Sequence, residues 1–397
     1  MISFLKILRI LIYTFVSYFF LPKSIIELIN IKSENALYLT PFRREKGLDK
    51  LLNKQGIGII SLSHDYQKKI SNIFFGSVNL KYYEFVNHIR NYKLGNFFYK
   101  IYLNNLIKFL KKKYNLKFVI NFAIHYKSEY LFDYISTKNK LNFFTLHREC
   151  LYANENTKNT ILSKLKITPK YSGKKIIVHN DIVKNIFINS GFCTNEQIIK
   201  IGPLKIDESL NFENIPNKNI NILFYIFGTG SMIHKGKTYG SDWGIDYGWF
   251  KLLKNTYGVI LDCAEKYPNV KFIFKAKYDS KGFKSYHDEQ SKNYKLKNVE
   301  YHTEEVNYDL LRRSNLVISF NSTTIIEAAL FKKNILVPYF DEALEETYSE
   351  FVGFKELKKT VCECASKEIF KEKIINFIEN QMNFSLENKE REKLLKS

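Results

Sequence analysis

Short apolar runs alternate with stretches of helical period along most of the chain. Each apolar run in the first half has a helical pattern before or after it. This alternation is typical of a parallel β-sheet covered by helices, because such strands are buried on both faces and read as nearly continuous apolar runs. The strands predicted in the first half are residues 36–40, 57–62, 118–124, 142–146, 175–178 and 198–201.

The pattern breaks once and then restarts. Residues 207–219 are polar, rich in Asn and without the period of a helix or a strand, so we place a linker there. We predict one α/β domain over 31–206, a second over 220–365 and a helical tail over 366–397. The predicted strands of the second domain begin with 220–227 and 270–274, a strand or a turn is expected near 299–302, and the helices include 250–266 and 307–313.

Residues 317–338 predict a buried strand, a polar turn, a short helix and a second strand. The turn offers small hydroxyl and amide side chains at the start of the helix, where unpaired N–H groups and the helix dipole favour an anion. We therefore predict a phosphate-binding turn made of Asn321, Ser322, Thr323 and Thr324, with Glu327 on the helix. The alternative is a capping box with Thr324 as N-cap and Glu327 reaching back to its N–H.

Two further turns follow predicted strands of the second domain. Gly228 and Thr229 come directly after the strand 220–227, and glycine lets the backbone approach a ligand closely. Lys275 and Lys277 end the strand at 270–274 and could add positive charge. The polar segment between these elements, 232–249, contains two tryptophans that could stack on a base or sugar if it folds over the site.

The N-terminal segment, 1–30, is expected to be an amphipathic helix on a membrane surface. Between Ile2 and Leu21 it is almost wholly apolar and aromatic, with Lys6 and Arg9 on one polar stripe. An apolar face opposite basic residues is typical of an interfacial helix. The alternatives are packing on the protein's own surface and a spanning anchor, for which the uncharged run of 12 residues is short. No small-residue cleavage site follows it, as a signal peptide would require.

Composition narrows the class of partner. The chain has 397 residues and a formal net charge of +21, but its lysines are scattered among Asn and Ile, which indicates compositional bias, and we predict no nucleic-acid partner. Five cysteines, an odd number without framework spacing, favour a reducing compartment. Cys362-Glu-Cys364 has no second ligand pair nearby in sequence, so we predict no metal.

Three passages resemble the two-domain GT-B nucleotide-sugar glycosyltransferases. Residues 176–207 are similar to the last β-α-β unit of that family's acceptor-side domain. Residues 310–329, with Ser322-Thr-Thr and Glu327-Ala-Ala, resemble its donor-side pattern. Residues 274–277 stand where capsule and teichoic-acid relatives often carry a Lys-Pro-His-Pro-like turn, although His and Pro are absent here.

The resemblance implies two Rossmann-like domains whose parallel sheets face each other across a cleft. The second domain would hold the nucleotide-sugar, with hydroxyls on the phosphate and Glu327 on the ribose, and the first would hold the acceptor and the catalytic base. Neither a metal nor a cofactor is needed, since a helix dipole and side-chain donors can stabilise the leaving phosphate.

Candidate bases lie at the carboxyl ends of the first domain's strands, where ligands gather in parallel sheets. Leu146 is followed by His147, Arg148 and Glu149, and we predict Glu149 or His147 as the base, with Arg148 on an anionic group. Ordinary surface charges are the alternative. Further candidates to line the cleft are His64, Asp65 and His125, although lone histidines are more often structural than catalytic.

The sequence therefore predicts a cytoplasmic glycosyltransferase, peripherally attached to the inner face of the membrane. It would move a sugar from a nucleotide-sugar to a surface glycan, such as capsule or lipopolysaccharide, or to a lipid-linked acceptor. The alternatives on the same fold are a nucleotide-sugar 2-epimerase and a polyol-phosphate (CDP-glycerol-like) transferase. The alternative of another class is a non-catalytic scaffold that binds glycan or membrane.

Overall fold

The chain folds into two compact α/β units, described by a computed structural model. Unit 1 comprises Met1–Cys150 and Lys158–Lys205, and unit 2 comprises Leu151–Thr157 and Ile206–Ser397. Within them the structure describes residues 26–39, 46–76, 85–86, 89, 92–124, 126–148, 155–202, 219–231, 233, 248–276, 281–303, 308–353 and 362–380. Most of the predicted linker, 207–219, lies outside these ranges.

Unit 1 contains a seven-stranded sheet with the order β1-β3-β2-β4-β5-β6-β7, parallel except for β1. The strands are β1 Ile26–Asn30, β2 Glu34–Tyr38, β3 Ile57–Leu62, β4 Leu116–Asn121, β5 Asn142–Leu146, β6 Lys175–Val178 and β7 Ile198–Lys200. The helices are α1 Lys46–Lys54, α2 His64–Phe75, α3 Lys93–Tyr114, α4 Phe132–Lys138, α5 Glu155–Lys166 and α6 Asp181–Asn189.

The edge strand β1 corrects part of the expected N-terminal helix. Residues 26–30, which we had included in that segment, pair antiparallel with β3, and Ile26 lies opposite Leu62. The hydroxyl of Ser61 donates a hydrogen bond to Glu27 at 3.1 Å. An edge strand needs only one buried side and covers the open backbone groups of β3, so a partly polar sequence suffices. Residues 1–25, with Lys6 and Arg9, lie outside the described residues.

Unit 2 contains a six-stranded sheet in which every pair is parallel, with the order β10-β9-β8-β11-β12-β13. The strands are β8 Asn221–Tyr225, β9 Lys271–Lys275, β10 Val299–His302, β11 Leu316–Ile318, β12 Asn334–Pro338 and β13 Cys362–Cys364. The helices are α7 Phe250–Lys266, α8 Lys281–Ser291, α9 Tyr308–Arg313, α10 Thr324–Leu330 and α11 Lys367–Asn380.

The strand order of unit 2 creates a switch point between β8 and β11. From β8 the chain adds β9 and then β10 on one side, and it returns to the centre to add β11, β12 and β13 on the other. This is the 3-2-1-4-5-6 order of doubly wound sheets, in which ligands bind beside the carboxyl ends of the two central strands. The fold therefore points to the loops that follow β8 and β11.

The expected C-terminal tail is part of the unit 2 core, at least in its described part. Phe370, Ile374 and Phe377 of α11 are buried in the same cluster as the sheet. Lys371 forms an ion pair with Asp262 of α7 at 3.2 Å. The amphipathic period of 367–379 thus packs on unit 2, and a domain boundary at 365 separates residues that share one core.

Within the described residues, no helix is both long enough and apolar enough to cross a membrane.

The buried residue Lys333 should make the stability of unit 2 depend on pH. Lys333 is 6% exposed, its ammonium donates to the Arg312 carbonyl at 2.8 Å, and burial lowers its pKa to about 8 from 10.5. Between those pH values the unfolded chain binds the extra proton, so stability rises with pH. We expect the native chain to gain up to about 3 kcal/mol relative to Lys333→Met over this interval.

Chemical denaturation of both proteins at pH 7.5, 9 and 10.5 checks this. Tyrosine ionisation affects the two proteins alike and cancels in the difference between them. Parallel stability profiles for the native chain and Lys333→Met would contradict the expected charge cost.

Candidate functional site

The two predicted donor loops meet at the switch point of unit 2. Asn321, which follows β11, is 7% exposed, and its amide nitrogen lies 3.5 Å from the carbonyl of Ser231 in the loop after β8. The same nitrogen donates to Phe351 O at 3.0 Å, and the amide oxygen accepts from Gly353 N at 2.7 Å. We predicted that Asn321 binds phosphate. In the structure its side chain instead connects the loop after β11 to the loop after β8 and to residues 351–353.

Three hydroxyls form a cluster just after β11. Ser319 Oγ lies 2.7 Å from Thr324 Oγ1, and Thr324 Oγ1 lies 3.0 Å from Ser322 Oγ. Ser322 Oγ also accepts a bond from the backbone N–H of Thr324 at 3.3 Å. The sequence analysis missed Ser319 because it ends an apolar run. The cluster gives rotatable donors at the carboxyl edge of the sheet, as an anionic ligand requires.

The capping-box alternative for this segment is wrong. The N-cap of α10 is Thr323, which has helical backbone angles and no side-chain capping bond, and Thr324 is the first helical residue. Thr323 is also exposed, whereas the hydrogen bonds of the hydroxyl cluster join Ser319, Ser322 and Thr324. Because α10 has seven residues, its dipole is short, and the hydroxyl cluster is the main polar feature of this turn.

Glu327 lies near the end of β8. Burial raises the pKa of Tyr225, the last residue of β8, well above its usual value, and the nearby charges of Glu327 and Tyr308 raise it further. The Tyr225 phenol therefore stays protonated and can donate a hydrogen bond at neutral pH. A carboxylate and a phenol at this point can bind hydroxyl groups of a ligand, and Glu327 remains the residue predicted to meet a ribose.

The glycine turn after β8 is closed on itself. Gly228 N donates to Ser231 Oγ at 3.1 Å, and Ser231 N donates to Gly228 O at 3.0 Å. Trp249, beyond the long loop, anchors the turn through its backbone N–H to Thr229 O at 2.9 Å and its indole N–H to Ser231 O at 2.7 Å. Because its own N–H is engaged, Gly228 contributes space to the site and not a free backbone donor.

Trp249 does not present a stacking surface for a ligand. It is fully buried and its ring packs against Phe320 and Tyr348 at centroid distances of 5.0 and 5.1 Å. The interpretation that it stacks on a base or sugar is therefore wrong, because the core of unit 2 covers it. The other tryptophan, Trp243, lies outside the described residues.

The first helix after β8 cannot hold a phosphate at its N-terminus, because a carboxylate already binds there. Glu342, in the loop after β12, accepts hydrogen bonds from the N–H groups of Lys251 and Leu252 at 2.6 and 2.7 Å. Asp341 beside it accepts from Asn255 at 2.6 Å. These acidic groups satisfy the positive end of α7. The loop after β11 therefore stays the predicted anion-binding position of this sheet.

The predicted basic turn after β9 is described only in part. Lys275 is 7% exposed and its ammonium donates to the carbonyl of Ala276 at 2.6 Å. It lies on the strand next to β8, at the same carboxyl edge as the two donor loops. Lys277 lies outside the described residues.

The two described residues after β5 in unit 1 differ in exposure. His147 is 1% exposed, and its ring packs on Phe187 of α6 at 5.1 Å between centroids. Arg148 is partly exposed, and its backbone N–H donates to Phe122 O at 3.3 Å. His147 thus has the surroundings of a core histidine. Glu149, the other predicted base, lies outside the described residues.

His64 is a better-placed candidate in unit 1. Its Nδ1 lies 3.1 Å from the hydroxyl of Ser128, and its ring meets Tyr126 edge-on at 5.7 Å. Ser128 and Tyr126 follow β4, so polar groups from the carboxyl ends of β3 and β4 come together. Asp65 is exposed at the start of α2, and His125 lies outside the described residues.

The part of the chain that the structure covers contains no group of three or more His, Cys, Asp or Glu side chains able to hold a metal ion. Cys362-Glu-Cys364 forms the edge strand β13, which pairs with β12.

The two parallel sheets, each covered by helices, confirm the expected class of two Rossmann-like α/β domains. No family model and no curated protein sequence matches the chain. Its fold is similar to those of solved GT-B nucleotide-sugar enzymes, the family that the sequence resembles.

Three of these similar structures illustrate the range of activities. The UDP-GlcNAc 2-epimerase from Neisseria meningitidis, bound to UDP-GlcNAc, is 14% identical, with 91% of this chain and 93% of that chain covered and a TM-score of 0.47. MurG from Acinetobacter baumannii is 12% identical, with coverages of 91% and 94% and a TM-score of 0.45. The lipopolysaccharide outer core galactosyltransferase WaaB is 8% identical, with coverages of 91% and 93% and a TM-score of 0.41.

Proposed function

We propose that the protein is a glycosyltransferase that takes its sugar from a nucleotide-sugar bound to unit 2. The observation that carries this proposal is the meeting of two loops at the switch point between β8 and β11, where the side chain of Asn321, in the loop after β11, reaches the glycine turn after β8. Doubly wound sheets bind nucleotides at this position. The acceptor would be a surface glycan or a lipid-linked glycan.

The polar groups at the switch point suit the parts of a nucleotide diphosphate. The hydroxyls of Ser322 and Thr324 can donate to the phosphate oxygens, and charge-assisted bonds of this kind are about twice as strong as neutral ones. The Glu327 carboxylate can accept hydrogen bonds from the two ribose hydroxyls. It would not bind the phosphates, because an ionised phosphate has no hydrogen to donate. Donors set in place before the reaction also stabilise the charge that develops on the leaving diphosphate.

The transfer itself requires a proton acceptor near the hydroxyl of the acceptor. As the new bond forms to the anomeric carbon of the sugar, the bond to the diphosphate breaks, and the hydroxyl proton passes to a base. His64, which is partly exposed and lies 3.1 Å from the Ser128 hydroxyl, is the described histidine of unit 1 best placed for this role. Glu149 and His147 remain predicted alternatives.

The first test is the thermal unfolding midpoint of the full chain with CMP, CDP, UDP and GDP. A ligand that binds only the folded state raises the midpoint. We expect one nucleoside diphosphate to raise it in the native chain and in Glu372→Ala, and to have no effect on Glu327→Ala. Glu372 lies exposed on α11 and makes the charge change equal. No shift with any nucleotide would contradict the donor site.

Turnover by the same proteins separates the alternatives. A transferase consumes the nucleotide-sugar only when a glycan acceptor is present, an epimerase converts it without one, and a polyol-phosphate transferase requires a CDP-polyol.

We also propose that residues 1–25 attach the protein to anionic membranes. Glu327→Ala should then lose turnover and keep binding to anionic vesicles, whereas a scaffold would bind vesicles and never turn over.

A further inference from the structure

Unit 1 contains a cavity that the donor site does not use. It lies against one face of the sheet, between the ends of β4 and β5 and the segment that leads into α4, and it is lined by polar groups from all three. Asn121 ends β4, Thr145 lies opposite it on β5, Glu129 lies in the connecting segment and Asp133 in the first turn of α4. Its volume is about 50 Å³.

The amide oxygen of Asn121 is a buried hydrogen-bond acceptor in the lining of this cavity. Asn121 is 5% exposed, and its nitrogen donates to Ala123 O at 2.6 Å and to Glu129 Oε2 at 2.9 Å. These two bonds fix the orientation of the amide, because the reverse assignment would place an oxygen against two acceptors. The oxygen of Asn121 has no hydrogen-bond partner in the described structure. A buried acceptor without a donor is costly and calls for a ligand or water.

Two hydroxyl groups that line the cavity, those of Thr145 and Tyr171, already donate hydrogen bonds within the protein. The hydroxyl of Thr145 donates to the Tyr171 phenol oxygen at 3.2 Å, and Tyr171 donates in turn to Lys175 O at 2.9 Å. The Asp133 carboxylate accepts from Ser172 N at 2.9 Å, and burial raises the pKa of Asp133. The lining therefore offers oxygen acceptors, which disfavours a phosphate or a carboxylate ligand.

The volume of the cavity and its aromatic lining further restrict the chemical class of the ligand. A volume of 50 Å³ is well above the roughly 10–15 Å³ that a single water needs, so the cavity can hold a small ligand. Aromatic rings, among them Phe143 and Tyr171, form part of the wall, and rings of this kind pack against the C–H groups of carbohydrates. Two adjacent carbons with their hydroxyls fit both the size and the need for donors.

We propose that this cavity binds a vicinal diol, the end of a polyol or one edge of a sugar ring, through the Asn121 oxygen and the neighbouring carboxylates. One hydroxyl donates to Asn121, and the second donates to Glu129 or Asp133. The site belongs to unit 1 alone and goes beyond the proposed donor site of unit 2, so the two can fail separately.

Saturation-transfer NMR on the full chain tests the proposal, because it detects weak ligands. The probes are glycerol and ribitol, with 1-propanol as the matched mono-alcohol and ethanolamine as the cationic alternative. We expect saturation of glycerol and ribitol above that of 1-propanol in the native protein. In Ala123→Val, which adds two methyl groups at a fully buried lining position, that excess should be lost.

A second variant distinguishes loss of ligand binding from loss of folding. Ile124→Phe fills the cavity from a partly exposed lining residue, and an unchanged thermal midpoint shows that the variant is folded. Equal saturation of diols and 1-propanol, an unchanged excess in a folded, filled variant, or saturation of ethanolamine alone would each overturn the proposal. Saturation of UDP in the same samples reports on unit 2 independently.

Discussion

Replacing Thr324 with valine is expected to weaken nucleotide binding by about 10- to 100-fold, which corresponds to the loss of one charge-assisted hydrogen bond of about 1.5–3 kcal/mol. Valine has the same shape, so the start of α10 should be retained. The hydroxyl it removes is central to the cluster, at 2.7 Å from Ser319 Oγ and 3.0 Å from Ser322 Oγ. Calorimetric titration with the nucleotide that stabilises the native chain measures the effect.

The neighbouring residue supplies a matched control. Thr323→Val is the same chemical change one position earlier, at an exposed side chain that makes no capping bond. We expect this variant to bind the nucleotide like the native chain. Equal affinities for both variants, whether both normal or both weak, would show that the cluster of Ser319, Ser322 and Thr324 does not bind the ligand.

Removing the Trp249 side chain is expected to destabilise unit 2 by about 3–5 kcal/mol, the usual cost of truncating a large buried aromatic residue to alanine. The ring is fully buried and lies between Phe320 and Tyr348. Guanidinium denaturation followed by circular dichroism measures the loss. A change of less than about 1 kcal/mol would be typical of a surface position and would contradict this packing.

Trp249→Phe separates packing from hydrogen bonding. Phenylalanine keeps most of the ring contacts but cannot donate to the Ser231 carbonyl, which the indole contacts at 2.7 Å. We expect a smaller loss of about 1–2 kcal/mol, together with weaker nucleotide binding because the turn after β8 loses its anchor. Native affinity in this variant would show that the turn is positioned by other contacts.

The apolar patterns predicted the sheets well. The strands 57–62, 142–146 and 175–178 and the helix 250–266 have the expected bounds. These elements are covered on both faces or carry a broad apolar stripe, so their burial is written directly into the sequence. Strands β4 and β8 end two or three residues earlier than predicted, because apolar residues continue into the loops, and β4 also begins two residues earlier.

The sequence could not predict features that depend on distant partners. Strand β1 is partly polar because only one of its edges is paired, and β13 is three residues long. Glu342 caps a helix that begins more than ninety positions earlier, and nothing in its local sequence indicates this role.

The predicted donor residues Ser322, Thr324 and Glu327 follow β11, beside the switch point of the unit 2 sheet, and their binding role stays a prediction. Of the other predicted residues in this turn, Asn321 connects two loops through its side chain and Thr323 is exposed. The difference arises because small polar residues in a turn serve either the backbone or a ligand, and sequence spacing is the same in both cases.

The hydrogen bonds of Trp249 hold together the two ends of the segment that follows β8. Its backbone and indole N–H groups tie residue 249 to Thr229 and Ser231, so the two ends of the intervening segment are joined at the base. Lengthening a loop that is already closed costs little, about 0.6 kcal/mol for each doubling. Insertions between residues 234 and 247 should therefore cost the sheet of unit 2 little stability.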